Sequence, residues 1–397
     1  MATILPFRAI RPNPAFIDQL VPTGRQTESV AGIGMPPLKD LLETPARSRP
    51  ETPEGQANAY GDIKRTLEEL LNRNLLIKED AACLYIYEVT GIDGTQTGIW
   101  AATPITELAA IKTHELTFSD SVRRLRNYRE QTGLEGSPVL LTYTPNTQVN
   151  RLITHIKATS KQSTTGNSQS VHRIWHTCDP ELIRRLADAF KSVGPVYLAD
   201  GHHRTESAMR LPEMETISTL YMATDQLRIG EFHRVVIPDV SFNKTRLKRE
   251  LAANFKTTPV SPNLPVLPET AHRMGMIAGG RWYSLTPRAH TYTGKTTAQM
   301  LDAAILQEYV FNKIFCITNP TTDPRLRCAG SASALVQMET IIDQNPGAVG
   351  FTLSPLTTGH LLAVADAGET LPPKSTWINP KIPYGLLLHR QLTQIHY

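Results

Sequence analysis

The pattern of apolar and polar residues alternates between helical and strand-like spacing. Between residues 60 and 80 the apolar positions recur at intervals of three and four, at Ile63, Leu67, Leu70 and Leu71. This spacing predicts an amphipathic helix. Compact apolar runs such as CLYIYEVT and VHRIWHT predict strands. Because helices and strands follow one another without a regular β-α-β rhythm, we predict a mixed α+β fold with mixed sheets and flanking helices.

Other segments carry weaker patterns. Residues 20–60 are rich in Pro, Gly, Thr and charged residues and predict loops, and the polar run TSKQSTTGNSQS predicts a further loop over 159–170. In DPELIRRLADAFKSV, Asp179 is expected to cap a helix that begins at Pro180. The run HLLAVADAGE, residues 360–369, is interpreted as strand-like.

The length of the chain predicts more than one packed unit. At 397 residues, the chain exceeds the usual size of a single core. We predict a loop-rich segment over residues 1–60 that packs on the core, a core over 61–240, and a C-terminal α+β domain over 241–397.

The composition is that of a soluble globular protein, with 40% hydrophobic and 20% charged residues. A net charge of only +4 argues against sequence-specific binding of nucleic acid. No run approaches about 18 consecutive apolar residues, and MATILPFRAIRPNP lacks the apolar stretch of a signal peptide. We therefore expect no membrane association and a cytoplasmic location. The cysteines lie far apart in the sequence and predict neither a metal cluster nor a disulfide framework; they are Cys83, Cys178, Cys316 and Cys328.

A polar cluster interrupts the apolar pattern in the stretch YLADGHHRTESAMR. The apolar run over 195–199 predicts a short buried strand, and Asp200-Gly201 predicts a turn. Residues 207–211 predict a short helix that Pro212 ends or kinks. The acid, the glycine, the two histidines and the arginine therefore lie where a strand passes into a helix, and α/β proteins bind ligands at such junctions.

The same stretch resembles the signature of a bacterial, archaeal and protist family known as a domain of unknown function, within the ParB/sulfiredoxin-like superfamily. The segments KTHELT, HRIW, DQLRIGEFHRVV, TTDPRLRCAG and LPPKSTWINPKIPYGL agree with that family in order. The resemblance implies a ParB/sulfiredoxin-like nucleotide-binding core with additional α/β elements. Relatives are described as kinases for free serine. The resemblance therefore also implies phosphoryl transfer from ATP or ADP, with Mg²⁺, to the hydroxyl of free L-serine, giving O-phosphoserine.

Phosphoryl transfer requires bound phosphate, a cation and a group that orients the attacking hydroxyl. Backbone N–H groups after Asp200 and an arginine fork suit the phosphate. The expected nucleotide-binding residues are Gly201, His202, His203, Arg204 and Thr205. Asp200 is the expected ligand of Mg²⁺, which prefers carboxylate, phosphate and water oxygens. Asp200 and His203 are also expected to take part in catalysis.

The acceptor is assigned to two other segments. Glu115 in THELT is the expected general base toward the acceptor hydroxyl. The Pro-Pro of LPPKSTW stiffens a loop whose polar residues suit a phosphate or an amino-acid carboxylate. The expected acceptor-binding residues are His114, Thr117, Arg325, Lys374, Ser375 and Thr376. The expected partners are thus a nucleotide and a small hydroxylated amino acid, and a homodimer is compatible with the sequence.

Two further groups are interpreted as structural. His172 and Trp175 in HRIW are expected to support the core. The arginines of SDSVRRLRNYR are expected to form a solvated helix face; they are Arg123, Arg124, Arg126 and Arg129.

Three other functions stay open. A ParB-like nucleotide-binding or DNA-associated regulator would add a helix-turn-helix, and the chain shows no basic helical pair. A sulfiredoxin-like enzyme would need a cysteine in the phosphate motif, and the nearest one, Cys178, precedes a helix elsewhere. A zinc hydrolase has no H-x-H-x-D-H or H-E-x-x-H string to use; its ligands would be His114, His172, His202 and His203.

Overall fold

The computed structural model describes residues 2–22, 35–48, 52–92, 94–167, 170–211, 213–239, 244–260, 264–330, 333–379 and 381–391. These residues form the mixed α+β fold that the sequence predicts. The strands are β1 (Ile10–Pro12), β2 (Leu76–Lys78), β3 (Leu84–Gly91), β4 (Gly94–Pro104), β5 (Leu134–Glu135), β6 (Val139–Tyr143), β7 (Gln162–Gly166), β8 (Val171–Thr177), β9 (Val196–Asp200), β10 (Thr216–Ala223), β11 (Ile229–Gly230), β12 (Phe232–Val236), β13 (Phe255–Pro259), β14 (Met274–Ala278), β15 (Arg281–Pro287), β16 (Leu326–Gly330), β17 (Val349–Thr352), β18 (Trp377–Ile378) and β19 (His389–Arg390).

Helices occur between most of these strands, and the last residue of α10 is followed by a π-helical turn over Gln307–Asn312. The α-helices are α1 (Ile17–Leu20), α2 (Leu38–Leu42), α3 (Thr44–Ser48), α4 (Pro53–Asn72), α5 (Ser119–Thr132), α6 (Thr147–Thr159), α7 (Pro180–Phe190), α8 (His202–Met209), α9 (Lys244–Asn254), α10 (Asp302–Leu306), α11 (Ala334–Gln344) and α12 (Thr358–Asp366).

The chain divides into two compact units. Unit 1 comprises Met1–Lys112, Thr117–Leu227 and Pro380–Tyr397, and unit 2 comprises Thr113–Leu116 and Arg228–Asn379. The chain therefore enters unit 2 twice and returns to unit 1 each time. The three-part division at residues 60 and 240, and the ParB/sulfiredoxin-like character of the core, stay predictions.

A seven-stranded sheet forms the centre of unit 1, in the order β7-β8-β3-β4-β10-β6-β9. β10 runs parallel to β6, and the other neighbouring pairs are antiparallel. The apolar faces of α6 and α7 pack on this sheet, as Ile156 and Phe190 illustrate. Asp179 caps α7 and Pro180 is its first residue, as predicted. Because β9 is an edge strand, its last residue, Asp200, lies at the border of the sheet.

Unit 2 contains a six-stranded antiparallel sheet in the order β13-β15-β14-β17-β12-β16. Its side chains alternate between two cores, as expected for a strand with apolar residues on both faces. Val236 belongs to the core that α9 and α10 cover, whereas Val235 belongs to the core that contains Met338 of α11.

Two local predictions are wrong. The polar segment 159–170 contains β7, which pairs with β8 and forms one edge of the sheet among the described residues. Polar residues are tolerated on such an edge strand because one of its sides is not covered by another strand. The segment 360–369 is helical, since it contains most of α12. A capping box at Thr357 and His360 starts that helix, and Leu361, Val364 and Ala365 form its buried face.

The segment 20–60 is less loop-rich than predicted, because α2, α3 and the first turns of α4 lie in it. Residues 23–34 and 49–51 fall outside the described residues. The helix expected over 207–211 begins earlier, at His202, and Pro212 is also outside the described residues.

The sequence predicted no disulfide framework, but one pair of cysteines is bonded. Cys83 and Cys178 are bonded, with their Cα atoms 4.3 Å apart. The register of β3 and β8, in which Leu84 faces Thr177, places the two cysteines opposite each other one residue further on. Cysteine usage therefore no longer supports a reducing compartment. No helix in the described ranges is both long and apolar enough to cross a bilayer.

We predict that the Cys83–Cys178 bond stabilises unit 1, because it closes a long loop between residues 95 positions apart. Cys178→Ser should lower the free energy of unfolding by about 2–4 kcal/mol. Dithiothreitol should lower the melting temperature of the wild type and leave that of Cys178→Ser unchanged. An equal response of both proteins to the reductant would show that the bond is absent in solution.

Candidate functional site

The candidate site of unit 1 is built at the junction of β9 and α8. The residues of β9 before Asp200 are buried and fix the strand in the sheet. The Asp200 side chain is 42% exposed. The predicted transition from strand through turn to helix is therefore confirmed, with Gly201 at the N-cap position of α8.

Gly201 is required at this turn for two reasons. Its φ is +102°, a conformation that residues with a Cβ rarely adopt. A Cβ at this position would also lie 2.9 Å from Nε of Arg204. The side chain of Arg204 therefore lies over the backbone of the turn, and the absence of a Gly201 side chain makes room for it.

Two cations face the carboxylate of Asp200. Nη2 of Arg204 lies 3.3 Å from Oδ2 of Asp200, and Nζ of Lys381 lies 3.7 Å from the same oxygen. The partial loss of surrounding water would raise the pKa of this carboxyl, but Arg204, Lys381 and His202 hold it below its ordinary value. The positive charge around Asp200 thus exceeds the negative charge of its carboxylate. This cluster lies at the N-terminus of α8, the end of a helix that favours anions.

The histidines and the threonine of the motif are placed differently. His202 and Thr205 are buried, and the Thr205 hydroxyl donates to the carbonyl of Gly201 at 3.3 Å. His203 is half-buried; its Nδ1 accepts from the backbone N–H of Phe118 at 3.3 Å, and its ring packs on the Phe118 ring. His203 therefore joins the phosphate motif to the segment that follows HELT.

A buried ion pair between Arg129 and Glu135 contacts the backbone of α8. Arg129 of α5 lies 2.7 Å from Glu135, and both side chains are less than 5% exposed. Arg129 also donates to the carbonyl of Arg204 and, at 2.8 Å, to the hydroxyl of Ser207. The guanidinium therefore binds the α8 backbone at the residue whose side chain reaches Asp200.

Glu135 is held by two elements besides α5. Its Oε2 accepts from the backbone N–H of Ser218 in β10 at 2.6 Å and lies 3.1 Å from Nδ1 of His389 in β19. Burial would raise the pKa of Glu135, but Arg129 and His389 hold it below its ordinary value. The carboxylate is thus ionised in the folded protein.

The interpretation of Arg129 as a solvated residue is wrong. Arg123, Arg124 and Arg126 are exposed as predicted, but Arg129 is only 3% exposed. The signal in the sequence was its spacing: Val122, Arg129 and Thr132 are all buried and lie on one face of α5. His172 and Trp175 are buried, and burial lowers the pKa of His172 to about 4.

In unit 2, the HELT segment pairs with the loop that contains Lys374. Glu115 forms an isolated parallel bridge with Leu371, and the carbonyl of His114 accepts from the N–H of Leu371 at 2.8 Å. His114 is fully buried. Thr117, the last residue of HELT, belongs to unit 1.

Arg234 organises the Lys374 loop and was not foreseen. Its guanidinium donates to the carbonyl of Lys374 and lies 4.5 Å from the centre of the Phe232 ring. Burial lowers the pKa of Arg234, while Cys328 and Glu115 act in the opposite direction. Lys374 itself has a φ of +66° and an exposed side chain. The structure thus places the charges of Glu115 and Arg234 close enough to interact, and it joins Arg234 to the Lys374 loop through a backbone carbonyl.

Ser375 lines a small cavity of about 120 Å³ in unit 2. Asp302 and His360 line the same cavity. The Ser375 hydroxyl donates to the carbonyl of Pro372 at 2.6 Å, and Thr376 is half-buried. Burial raises the pKa of Asp302 to about 6, although its carboxylate accepts from the N–H of His272.

Arg325 lies apart from these residues. Arg325 precedes β16, and its carbonyl accepts from the N–H of Ile237. The opposite end of β16, at Gly330, packs against Trp377, which follows the Lys374 loop. The Arg325 guanidinium pairs with Asp323 at 2.7 Å and with Asp239 at 3.0 Å. Arg325, which was expected to bind the acceptor, thus has two aspartates as structural partners.

The site fits a phosphate better than a metal ion. Within the described ranges, no three His, Cys, Asp or Glu side chains are grouped to hold a metal. The carboxylate of Asp200, the expected ligand of Mg²⁺, already faces Arg204 and Lys381 through one oxygen. The zinc alternative gains no support, since Nδ1 of His172 is hydrogen-bonded to the hydroxyl of Tyr87 at 2.8 Å. The sulfiredoxin-like alternative gains none either, since Cys178 is disulfide-bonded.

A family model described as "Protein of unknown function (DUF1015)" matches residues 36–304. The chain belongs to this family. The match includes HELT and the D-G-H-H-R motif. It ends before the loop that contains Lys374.

Solved structures resemble this DUF1015 chain only distantly. A mutant of a free serine kinase in complex with AMP has a TM-score of 0.40 at 11% identity, over 73% of this chain and 92% of that one. SbnI from Staphylococcus aureus, truncated at its C-terminus, has a TM-score of 0.39 at 13% identity, over 72% and 87%. A conserved hypothetical protein from Pyrococcus furiosus has a TM-score of 0.39 at 12% identity, over 72% and 93%. No curated protein matches the chain with significance.

We predict that removing Arg129 destabilises the protein, because Glu135 would keep its charge in a buried place. Arg129→Met should lower the free energy of unfolding by about 3–5 kcal/mol. The double variant Arg129→Met/Glu135→Met should recover much of that loss, and the exposed control Arg123→Met should change stability by no more than about 0.5 kcal/mol. Urea denaturation measures all three. Equal effects of Arg129→Met and Arg123→Met would contradict the buried pair.

We predict that Asp302 makes stability depend on pH. Its pKa is about 6 in the folded protein against an ordinary value of 3.8, so the folded state binds the proton more tightly. Stability should therefore fall as the pH rises from about 4 to 6, by at most about 3 kcal/mol, and stay lower above that window.

Asp302→Asn tests this dependence, because the amide cannot ionise. The difference in unfolding free energy between variant and wild type, measured by urea denaturation, should shift in favour of the variant as the pH rises from 4 to 7. A difference that is constant over this range would mean that Asp302 titrates normally in the folded protein.

Proposed function

We propose that the chain is a phosphotransferase that moves a phosphoryl group from ATP or ADP to the hydroxyl of a small amino acid, with free L-serine as the acceptor. One observation carries the proposal. Arg204 and Lys381 flank Asp200, which directly precedes a turn that only glycine fits and lies beside the N-terminus of α8. Such an arrangement suits the phosphates of a nucleotide.

The residues of unit 1 would bind and orient the donor. The guanidinium of Arg204 and the ammonium of Lys381 would hold phosphate oxygens, together with the first N–H groups of α8. Asp200 keeps the two cations in place between turnovers, so its role is to position them. A divalent cation would accompany the nucleotide through phosphate and water oxygens, and no part of the proposal depends on Asp200 as its ligand.

Glu115 is the proposed general base. In the reaction, the acceptor oxygen forms a bond to the terminal phosphorus while the bond from that phosphorus to the bridging oxygen breaks. The hydroxyl proton passes to the Glu115 carboxylate, and the nucleotide leaves with one phosphate fewer. Arg234, whose charge interacts with Glu115, and the exposed Lys374 of the loop that Arg234 binds would support an acceptor that carries a carboxylate.

We predict that the purified protein forms O-phosphoserine from serine when ATP or ADP is present with MgCl₂, as detected by mass spectrometry. Glu115→Gln should lower kcat by about 10²- to 10⁴-fold, since a general base contributes that much. ADP affinity, measured by calorimetry, should stay unchanged. Glu308→Gln, an exposed glutamate of the same unit, is the matched control and should keep full activity.

Variants of the phosphate motif complete the test. Arg204→Met should weaken ADP binding by about tenfold, as expected for the loss of one charge-assisted contact. Asp200→Asn should retain or strengthen ADP binding, because the amide oxygen can still accept hydrogen bonds from the two cations but no longer competes with phosphate through a negative charge. Loss of ADP binding in a folded Asp200→Asn protein would instead support a metal role. Normal turnover by Glu115→Gln, or the absence of ADP binding to the wild type, would refute the proposal.

A further inference from the structure

Unit 2 contains a large pocket beside α9 that the proposed kinase reaction does not use. It lies between α9 and the strands β13, β14 and β15, and its volume is about 620 Å³. Small-molecule sites typically measure about 300–1,000 Å³. The pocket is therefore large enough for an organic ligand.

The inner surface of the pocket is apolar. Buried side chains from the helix and from the sheet line it, and each is at most 5% exposed; they are Leu247, Leu251, Phe255, Met276 and Val349. They belong to the main core of unit 2. A ligand part that contacts these residues has to be apolar, because the walls offer it few hydrogen-bonding groups.

Four cationic residues surround this apolar floor: Lys248, Lys256, Arg281 and Arg288. All four are exposed. None of them forms an ion pair with another residue in the part of the chain that the structure describes, and the described lining contains no acidic residue. Arg288 is fixed in place, since its Nε donates to the carbonyl of Ala252. The charge at the edge of the pocket is thus positive and uncompensated.

Two glycines leave the pocket accessible. Gly279, in the turn between β14 and β15, and Gly347, before β17, both line it. Apart from the adjoining residues of the chain, no heavy atom of the described ranges lies within 4 Å of the place where a Cβ would stand at either glycine. A ligand can therefore reach the floor past a border that carries little side-chain bulk.

We propose that this pocket binds an amphipathic organic anion, with an aliphatic body of about ten carbons and a carboxylate or phosphate head. The body occupies the apolar floor and gains the free energy of removing its surface from water. The head lies among the lysines and arginines, which otherwise have no described acidic partner. A nucleotide is a poorer fit, because its polar base and sugar would lose hydrogen bonds to water at these walls.

Isothermal titration calorimetry of the full chain tests the proposal with four probes below their micelle concentrations. Decanoate and decyl phosphate should bind, whereas decanol and decylammonium should bind at least about tenfold more weakly. The comparison of decanoate with decyl phosphate identifies the head group. Lys256→Glu/Arg281→Glu should weaken binding of the anions by about tenfold or more. The exposed control Lys161→Glu should not.

A second variant tests the location. Ala252 lines the pocket from an exposed position on α9, so Ala252→Trp should fill the pocket and abolish decanoate binding without lowering the melting temperature. ADP binding should be the same in Ala252→Trp and wild type, which separates this pocket from the proposed nucleotide site. Equal affinity for decanol and decanoate, decanoate binding to Ala252→Trp as tight as to wild type, or displacement of decanoate by ADP would overturn the proposal.

Discussion

The buried ion pair between Arg129 and Glu135 is the constraint on which the candidate site depends. It connects α5 to the short strand β5, and through Ser218 and His389 it also reaches β10 and β19. Neither charge has access to water that could replace its partner. Because Arg129 also binds the carbonyl of Arg204, the first turn of α8 is fixed to the same network.

The electrostatics of the phosphate motif follow from that arrangement. Asp200 is fixed at the edge of the sheet by β9, and the backbone of Arg204 is fixed by its hydrogen bond from Arg129. The distance between the two residues therefore does not depend on flexible side chains alone. Lys381 arrives from a distant part of the sequence. The result is a cluster with surplus positive charge that exists before any ligand binds, and preorganised charge costs less at the moment of binding.

The sequence predicted the local parts of this structure and missed the long-range ones. The strand–turn–helix at Asp200 was accessible because apolar run, Asp-Gly and helix signals are neighbours. The burial of Arg129 and the pairing of Cys83 with Cys178 depend on how α5 and the strands are arranged in space, which no local pattern encodes. The segment 360–369 was misassigned because a short apolar run suits both helix and strand, and its deciding signal, the cap at Thr357, lies outside the run.

The return of the chain to unit 1 has a consequence for synthesis on the ribosome. His389 contacts Glu135, and Gln391 binds the backbone of residue 216, so unit 1 receives these partners only after residues 228–379 have been synthesised. All of the residues 228–379 emerge earlier. Until residue 389 has been synthesised, Arg129 and Glu135 must pair without His389, and the nascent protein carries the phosphate motif on a scaffold that is still unfinished.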